Sequence, residues 1–217
     1  MFANFYRNIF NKSLKIHTIG DSHAKFPWIN VSIENTKVII HHLGPRLMYT
    51  VGEKPWLTSI KNFNVRRKDI IIYCFGEIDC RCHIWNHKDL GYKNVIKSLV
   101  NKYIQSIIHS TKTINNRKVF IQSIVPAIKR KDHLHNEISE LPFLGRDETR
   151  KSYVMYMNET LRKSCEQNDF NFFDIYDFYT DDKGFLDYEL SDKNVHIGNP
   201  IHIENYIKNN ITPILDL

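Results

Sequence analysis

The most apolar run of the chain, residues 69–75 with sequence DIIIYCF, restricts the possible folds more than any other segment. Its β-branched residues follow one another without polar alternation, which is typical of a central parallel strand whose two faces are both covered. Because neighbouring parallel strands need crossover connections, a chain with such a strand is expected to alternate strands with helices.

Four further segments have the composition of strands, and helical patterns separate them. The strand segments are 14–19, 36–42, 118–125 and 171–175. Helices are predicted for 92–110, for 147–168, for 201–211 and, with a break at 52–55, for 47–60. This alternation predicts an α/β fold with one five-stranded parallel sheet and helices on both faces. A length of 217 residues suits a single domain over 1–217.

Charge and hydropathy exclude several classes of partner. Lysine plus arginine exceed aspartate plus glutamate by 30 to 24, and the resulting charge of +6 is spread along the chain. Without a dense basic stripe or a binding motif, we expect no nucleic-acid partner, only a mild attraction to anionic substrates. No stretch approaches the roughly 20 apolar residues of a membrane span, so no membrane contact is expected.

The N-terminal residues and the cysteines indicate the compartment. The first 13 residues lack the apolar block of a signal peptide, and their apolar side chains fit one side of a short helix. The four cysteines form no disulfide framework, so a reduced, cytoplasmic protein is predicted. Cys80-Arg81-Cys82-His83 lacks the second ligand pair of structural zinc sites. We therefore expect neither a metal nor another cofactor.

The tetrapeptide Gly20-Asp21-Ser22-His23 ends the first strand with turn-forming residues. A strand that ends in a tight turn there would hold the Ser22 hydroxyl at the open edge of the sheet. In open α/β sheets, ligands bind beyond the carboxyl ends of the strands. The alternative is a turn in which Asp21 or Ser22 caps the next helix.

The loop after the most apolar strand is the second indication of a site. Glu77, Asp79 and Arg81 lie within five residues of one another directly after a buried strand. Charges at such a position are costly unless they face a cleft or pair together. They are therefore candidate substrate-binding residues, and the alternative is an ion pair of Arg81 with Glu77 or Asp79 that fixes the loop.

Several polar loops should converge at the same edge of the sheet. All of them follow the carboxyl ends of predicted parallel strands, so they can line one cleft although they are far apart in sequence. These loops contain Ser22, Gly44, the segment 76–81 and the segment 181–199.

A serine nucleophile needs an imidazole within hydrogen-bond reach, usually oriented by a carboxylate. His196 is the best candidate among 11 histidines, because it lies in a long loop before the last helix with Asp192 just upstream. His202 is its rival, in the first turn of that helix. His17 is expected to be packed in the core, and His23 is too close to Ser22 along the backbone to act easily as its base.

The order of these residues resembles that of the SGNH, or GDSL-type, hydrolases, and the resemblance covers most of the chain. It implies that Ser22 is the nucleophile and that its own N–H, together with Gly44, serves the oxyanion hole. The glycine of the family's third block falls on Gly76, and the base and its orienting acid fall on His196 and Asp192. The family fold is a flavodoxin-like three-layer α/β/α sandwich.

The chain departs from the family pattern at two places. The family's third block, Gly-x-Asn-Asp, reads GEID from residue 76, so Ile78 replaces an asparagine that donates a hydrogen bond to the oxyanion. Loss of one such donor costs about 10²–10³ in rate, and Arg46 and Arg81 are the available replacements. The spacing between Asp192 and His196 is also one residue longer than the family's Asp-x-x-His.

The resemblance implies a serine acyl-ester hydrolase acting on a small-molecule or glycan ester, with O-acetylated carbohydrates as the favoured substrate class. One alternative is an acyltransferase that uses acyl-CoA and the same residues to modify glycans or nucleotide sugars. Another is a non-catalytic glycan-binding or scaffold protein with a disabled oxyanion hole, for which Ile78 is the best argument.

Overall fold

The computed structural model describes residues 13–132 and 141–213, and they form one parallel sheet with helices on both faces. The strands are β1 (Leu14–Gly20), β2 (Thr36–His42), β3 (Ile70–Cys74), β4 (Val119–Gln122) and β5 (Asn171–Phe173). Every pair is parallel and the order is β2-β1-β3-β4-β5. The predicted five-stranded parallel sheet is therefore confirmed.

Three strands, β3, β4 and β5, are shorter than predicted, and at two of them polar groups draw the chain out of the sheet. At the start of β3, the Asp69 carboxylate accepts the Arg66 N–H at 2.9 Å and so belongs to a turn. After β4, the Ile124 N–H donates to the side chain of Asn158 at 2.8 Å, so the backbone there bonds to a helix instead of to a neighbouring strand.

The helices follow the predicted pattern closely. They are α1 (Met48–Glu53), α2 (Ile84–Asn86), α3 (Tyr92–Ser110), α4 (Asp147–Gln167) and α5 (Ile201–Tyr206). The predicted break falls between α1 and a short 3₁₀ turn that begins at Pro55. A π-helical turn, Asp79–His83, leads into α2, and another, Ile207–Ile211, follows α5.

The sheet separates two hydrophobic cores, which gives the predicted three layers. Ile71 and Tyr73 of β3 pack with α1, α3 and α4, whereas Ile70, Ile72 and Cys74 pack on the opposite face with α5. Every residue of β3 is buried, as expected of a strand covered on both sides.

The strand order fixes where a ligand can bind. Chain connections leave β1 towards one edge of the sheet and β3 towards the other, so the crevice between their carboxyl ends is the topological switch point. In the register of the sheet, Gly20 lies beside both His42 and Cys74. Gly20, His42 and Cys74 thus form one row across three strands. Two residues after this row, the three chains leave the sheet at the same level, at Ser22, Gly44 and Gly76.

The short N-terminal helix predicted from the sequence lies outside the described residues. Among the residues that the structure describes, no helix is long and apolar enough to cross a membrane.

Gly20 is required where β1 and β3 approach each other. A Cβ atom at this position would lie 2.1 Å from the carbonyl oxygen of Cys74 and 2.8 Å from the Cβ of Ala24. Both neighbours belong to the backbone or to a short side chain, so neither can rotate away.

We expect Gly20→Ala to lower the free energy of unfolding by about 3 kcal/mol, since the added methyl group forces β1 and β3 apart. Gly184→Ala is the control: there the new Cβ meets only the flexible Lys151 side chain, at 3.5 Å, and φ is +76°. This control should lower the free energy of unfolding by only about 1 kcal/mol, the cost of placing an alanine in the left-handed backbone conformation. Urea unfolding of both variants measures the difference, and equal losses would contradict this account.

Candidate active site

A tight turn places the Ser22 hydroxyl at the carboxyl edge of the sheet. Asp21 caps the 3₁₀ turn Ser22–Ala24 by accepting the His23 N–H at 2.8 Å. The Thr18 hydroxyl donates to the carbonyl of Ala24 at 2.8 Å, which folds the turn back onto β1. The sequence-based alternative of a capping turn is thus present, but the capping group is Asp21, and Ser22 keeps its hydroxyl for another partner.

That partner is His196. The Ser22 Oγ lies 2.9 Å from Nε2 of His196, and Nδ1 of the same ring lies 2.7 Å from Oδ2 of Asp192. The sequence analysis predicted that these residues would meet, and the structure brings them together across 174 positions of the chain. With Nδ1 donating to the carboxylate, Nε2 is left as the acceptor for the serine hydroxyl.

The extra residue between Asp192 and His196 is absorbed by a small closed turn. Ser191 and Ile197 form an antiparallel bridge, and the Asp192 N–H donates to the His196 carbonyl at 3.0 Å. Inside the turn, Lys193 adopts a left-handed backbone with φ of +64°. The Asp192 Oδ1 accepts the N–H groups of Asn194 and His196, so the carboxylate is fixed from both of its oxygens.

The ionisation of the two aspartates differs because their surroundings differ. Burial alone would raise the pKa of Asp192, but hydrogen bonds from the His196 ring and from backbone N–H groups lower it below its usual value. Complete burial raises the pKa of Asp21 well above its usual range. The raised pKa of Asp21 disfavours a negative charge beside Ser22, whereas the lowered pKa of Asp192 favours the ionised carboxylate where it faces the imidazole.

Two backbone N–H groups are available near the Ser22 hydroxyl. Among the described residues, no hydrogen bond uses the N–H of Ser22 or of Gly44. Gly44 has φ of +75°, and a Cβ there would meet no atom within 4 Å, so its backbone is exposed to an approaching ligand. Gly76 differs, because a Cβ there would lie 2.7 Å from the side chain of Ile124. Its role is close packing.

Of the two arginines expected to replace the missing asparagine, Arg81 is held by other partners and Arg46 makes one backbone contact. Ile78 is buried, with 2% of its surface exposed, and Arg81 is held elsewhere: its Nε pairs with Glu77 at 3.0 Å and its Nη1 donates to the carbonyl of Leu141 at 2.9 Å. The Arg46 Nε donates to the Leu43 carbonyl at 3.3 Å. The Arg81 guanidinium is therefore engaged by other groups, and Arg46 as the third donor stays a prediction.

Glu77, Asp79 and Arg81 support the loop through contacts within the protein, and their binding of substrate stays a prediction. Asp79 is fully buried, and its two oxygens accept the N–H groups of Met48 and Tyr49 at the start of α1, at 2.7 and 3.2 Å. The carboxylate thus ties the loop after β3 to the segment that carries Gly44. Burial raises the pKa of Asp79 to about 7, against the effect of these two hydrogen bonds.

The structure contains the ion pair of Glu77 with Arg81, which was the alternative raised from the sequence. Through His23, Glu77 is also linked to the imidazole of His196. Burial alone would raise the pKa of Glu77, but Arg81 and His23 lower it to about 2. His23 Nε2 lies 3.6 Å from the Glu77 carboxylate, and the rings of His23 and His196 are 4.8 Å apart. Burial lowers the pKa of His23, so this neighbour is neutral near pH 7.

The other histidines lie elsewhere. His202 is in α5, stacked on Phe178 with ring centroids 5.4 Å apart. His17 is buried as expected, with its Nδ1 2.9 Å from Nε2 of His41 and its Nε2 3.3 Å from Asp69.

The cysteines next to the site are packed into the core. Cys80 and Cys82 are buried, and burial raises the pKa of the Cys82 thiol to about 11. The Cys82 Sγ donates to the Ile78 carbonyl at 3.1 Å. Among the residues that the structure describes, no group of three or more histidine, cysteine or acidic side chains is arranged to hold a metal ion.

Sequence reasoning missed one residue beside His196. The Phe26 ring lies 4.5 Å from the His196 ring, tilted by 36°, with 42% of the residue exposed. A single aromatic residue in a loop has no periodicity that would single it out. Its position became apparent only when the loop after β1 and the loop of His196 were seen in contact.

Comparisons with known proteins agree with this architecture. No family model matches the sequence, and no curated protein matches it. The structure is similar to a GDSL-like lipase from Bacteroides thetaiotaomicron, with a TM-score of 0.62 at 12% identity over 94% of this chain and 91% of that one. Phospholipase A1 from Streptomyces albidoflavus gives a TM-score of 0.58 at 9% identity, over 90% of this chain and 98% of that one.

An acetylxylan esterase from Geobacillus stearothermophilus, a catalytic mutant, gives a TM-score of 0.57 at 9% identity over 91% of this chain and 94% of that one. Catalytic mutants of that esterase replace an aspartate and a serine by alanine. At identities this low, the likeness shows the fold. The chain has the α/β/α fold of the SGNH, or GDSL-type, hydrolases.

Proposed function

We propose that this protein is a serine acyl-ester hydrolase in which Ser22 is the nucleophile, His196 the general base and Asp192 the residue that orients the imidazole. The observation that carries the proposal is the continuous chain of hydrogen bonds from Ser22 Oγ through His196 to Asp192, of 2.9 and 2.7 Å. It lies at the switch point of the sheet, where ligands bind in open α/β folds.

The reaction follows from this geometry in two stages. His196 Nε2 accepts the Ser22 proton as Oγ attacks the acyl carbonyl, and the imidazolium is stabilised by the ionised Asp192. Collapse of the tetrahedral intermediate breaks the ester bond, and His196 returns the proton to the leaving alcohol. Water then attacks the acyl-enzyme with His196 again as the base, which releases the acid and restores Ser22.

The backbone N–H groups of Ser22 and Gly44 are the proposed donors to the oxyanion. Both are unused by other hydrogen bonds among the described residues, and both follow the same row of the sheet by two residues. An oxyanion hole without the asparagine donor lacks a hydrogen bond that typically raises the reaction rate by about 10²–10³. We therefore propose a slow hydrolase with a two-donor hole.

Carbohydrate O-acetyl esters are the proposed substrates. The fold is shared with an acetylxylan esterase, and polar side chains such as Asn30 and Asn199 line the groove beside Asp192. The buried Ile78 favours a second candidate, a non-catalytic glycan-binding protein. It predicts an unreactive Ser22, so reactivity of the serine decides between the two.

We expect Ser22→Ala to abolish both labelling by a fluorophosphonate probe and hydrolysis of p-nitrophenyl acetate, because no other group takes the place of the activated hydroxyl. Ser152→Ala is the control: this exposed serine of α4 bonds only the preceding turn of its helix, and its loss should leave both readouts unchanged.

Wild-type protein that remains unlabelled and inactive would favour the glycan-binding candidate. If Ser22 is labelled, mass spectrometry after incubation with acetyl-CoA and a sugar then separates hydrolysis from transfer, because only transfer yields an acetylated sugar.

Glu77→Gln is expected to destabilise the protein by about 3 kcal/mol at pH 7, because it leaves Arg81 buried without its carboxylate. The pKa of Glu77 is depressed from 4.5 to about 2 in the folded state. The stabilisation is therefore present above pH 4.5 and is lost as the pH falls towards 2. Urea unfolding should thus show the difference from wild type at pH 7 and a smaller one at pH 3.

Glu159→Gln is the matched control, since Glu159 and Lys163 have the same spacing but both side chains are exposed. This exposed pair should contribute little to stability, because solvent screens it. A loss at Glu77 no larger than at Glu159 would contradict the supporting role assigned to the buried pair.

A further inference from the structure

An exposed aromatic ring lies against the proposed catalytic base. Phe26 contacts the imidazole of His196 on one side and is 42% exposed on the other, and its neighbour Ile29 is 60% exposed. Both belong to the loop that follows Ser22. Apolar side chains left open to solvent beside a reactive group are candidates for binding a ligand.

These two residues form one wall of an open groove of about 490 Å³. The remainder of the groove is mostly polar and includes Asn30, Glu189, Asp192 and Asn199. Its volume is within the range of small-molecule sites, which is about 300–1,000 Å³. Because Asp192 lies in its lining, the groove is continuous with the proposed triad.

The direction of proton transfer identifies which half of the ester lies here. His196 delivers its proton to the oxygen of the leaving alcohol, so that alcohol must lie next to the imidazole. Phe26 packs on the same imidazole, at 4.5 Å between ring centroids. The alcohol half is therefore adjacent to Phe26, whereas the acyl carbonyl lies towards Gly44.

The chemistry of the groove indicates a neutral polyol. Among the described residues no hydrogen bond uses the Asn30 side chain, and that of Asn199 uses only its Oδ1, so amide groups remain for ligand hydroxyls. The Lys193 ammonium is bound to the Tyr188 carbonyl at 2.8 Å, and the carboxylates of Glu189 and Asp192 in the lining disfavour an anion. Of the apolar side chains in the lining, Phe26 and Ile29 are exposed and Ile197 is buried, and two exposed ones are too few for a fatty chain.

We propose that this groove binds the sugar ring of an acylated carbohydrate, with the C–H face of the ring packed on Phe26, and that Phe26 determines specificity for the alcohol. The slightly positive C–H groups of a pyranose suit the negative face of an aromatic ring, and its hydroxyls suit the amides of the rim. The inference rests on the proposed function, since it concerns the leaving group of that reaction.

The test compares Phe26→Ala with Phe178→Ala on two esters, an acetylated methyl xyloside and ethyl acetate. Phe178 is the matched control because it also lies on a histidine ring, His202, and is 54% exposed. We expect Phe26→Ala to raise KM for the sugar ester about three- to tenfold, which corresponds to the loss of one ring contact. KM for ethyl acetate and kcat for both esters should change little, and Phe26→Trp should retain the low KM.

An equal fall of kcat for both esters would overturn the inference, because it would mean that Phe26 only supports His196. Unchanged KM values in Phe26→Ala would overturn it as well.

A binding measurement keeps this test independent of catalysis. Saturation-transfer NMR should detect methyl xyloside bound to the Ser22→Ala protein and should lose the signal when Phe26→Ala is added. Absence of binding to Ser22→Ala would overturn the sugar site while leaving the hydrolase proposal intact. Binding without labelling of wild-type Ser22 would overturn the hydrolase proposal alone.

Discussion

The close approach of β1 and β3 at Gly20 is the constraint on which the rest of the structure depends. The Cys74 carbonyl lies where any side chain at residue 20 would begin, 2.1 Å from the Cβ position. This contact fixes the level at which β1 and β3 end, and the register with β2 extends it to Gly44. A change in that register would separate the serine hydroxyl from the loop that supplies the proposed second oxyanion donor.

The charges below the site are arranged so that few of them act on the reacting groups. Glu77 is neutralised by Arg81, burial raises the pKa of Asp21, and burial keeps His23 in its neutral form near pH 7. Asp192 is the carboxylate that faces His196. An imidazolium formed during the reaction therefore meets an ionised partner on one side and an uncharged ring on the other, and in a poorly solvated site such fixed charges have a large effect.

Much of the fold was predictable because local patterns encode which face of an element is buried. The apolar run of β3 and the helical period of α3 depend only on nearby residues, so their limits agree within a residue or two. The meeting of Ser22 and His196 was predictable from topology. The hydrogen-bond partners of Arg81 and the burial of the Ile78 side chain could not be predicted. Both depend on contacts between segments that are far apart in sequence, and no repeating pattern in the sequence indicates such contacts. Phe26 was missed for the same reason.

The turn of His196 explains how the site tolerates an unusual spacing. The bridge between Ser191 and Ile197 sets the ends of the turn, and Lys193 takes the extra residue into a left-handed conformation. The position of the imidazole is then determined by the bridge and by Asp192, not by the number of residues between them. The geometry of the site in this chain is thus set by the ends of the strands and by a closed turn, and the number of residues within that turn can vary.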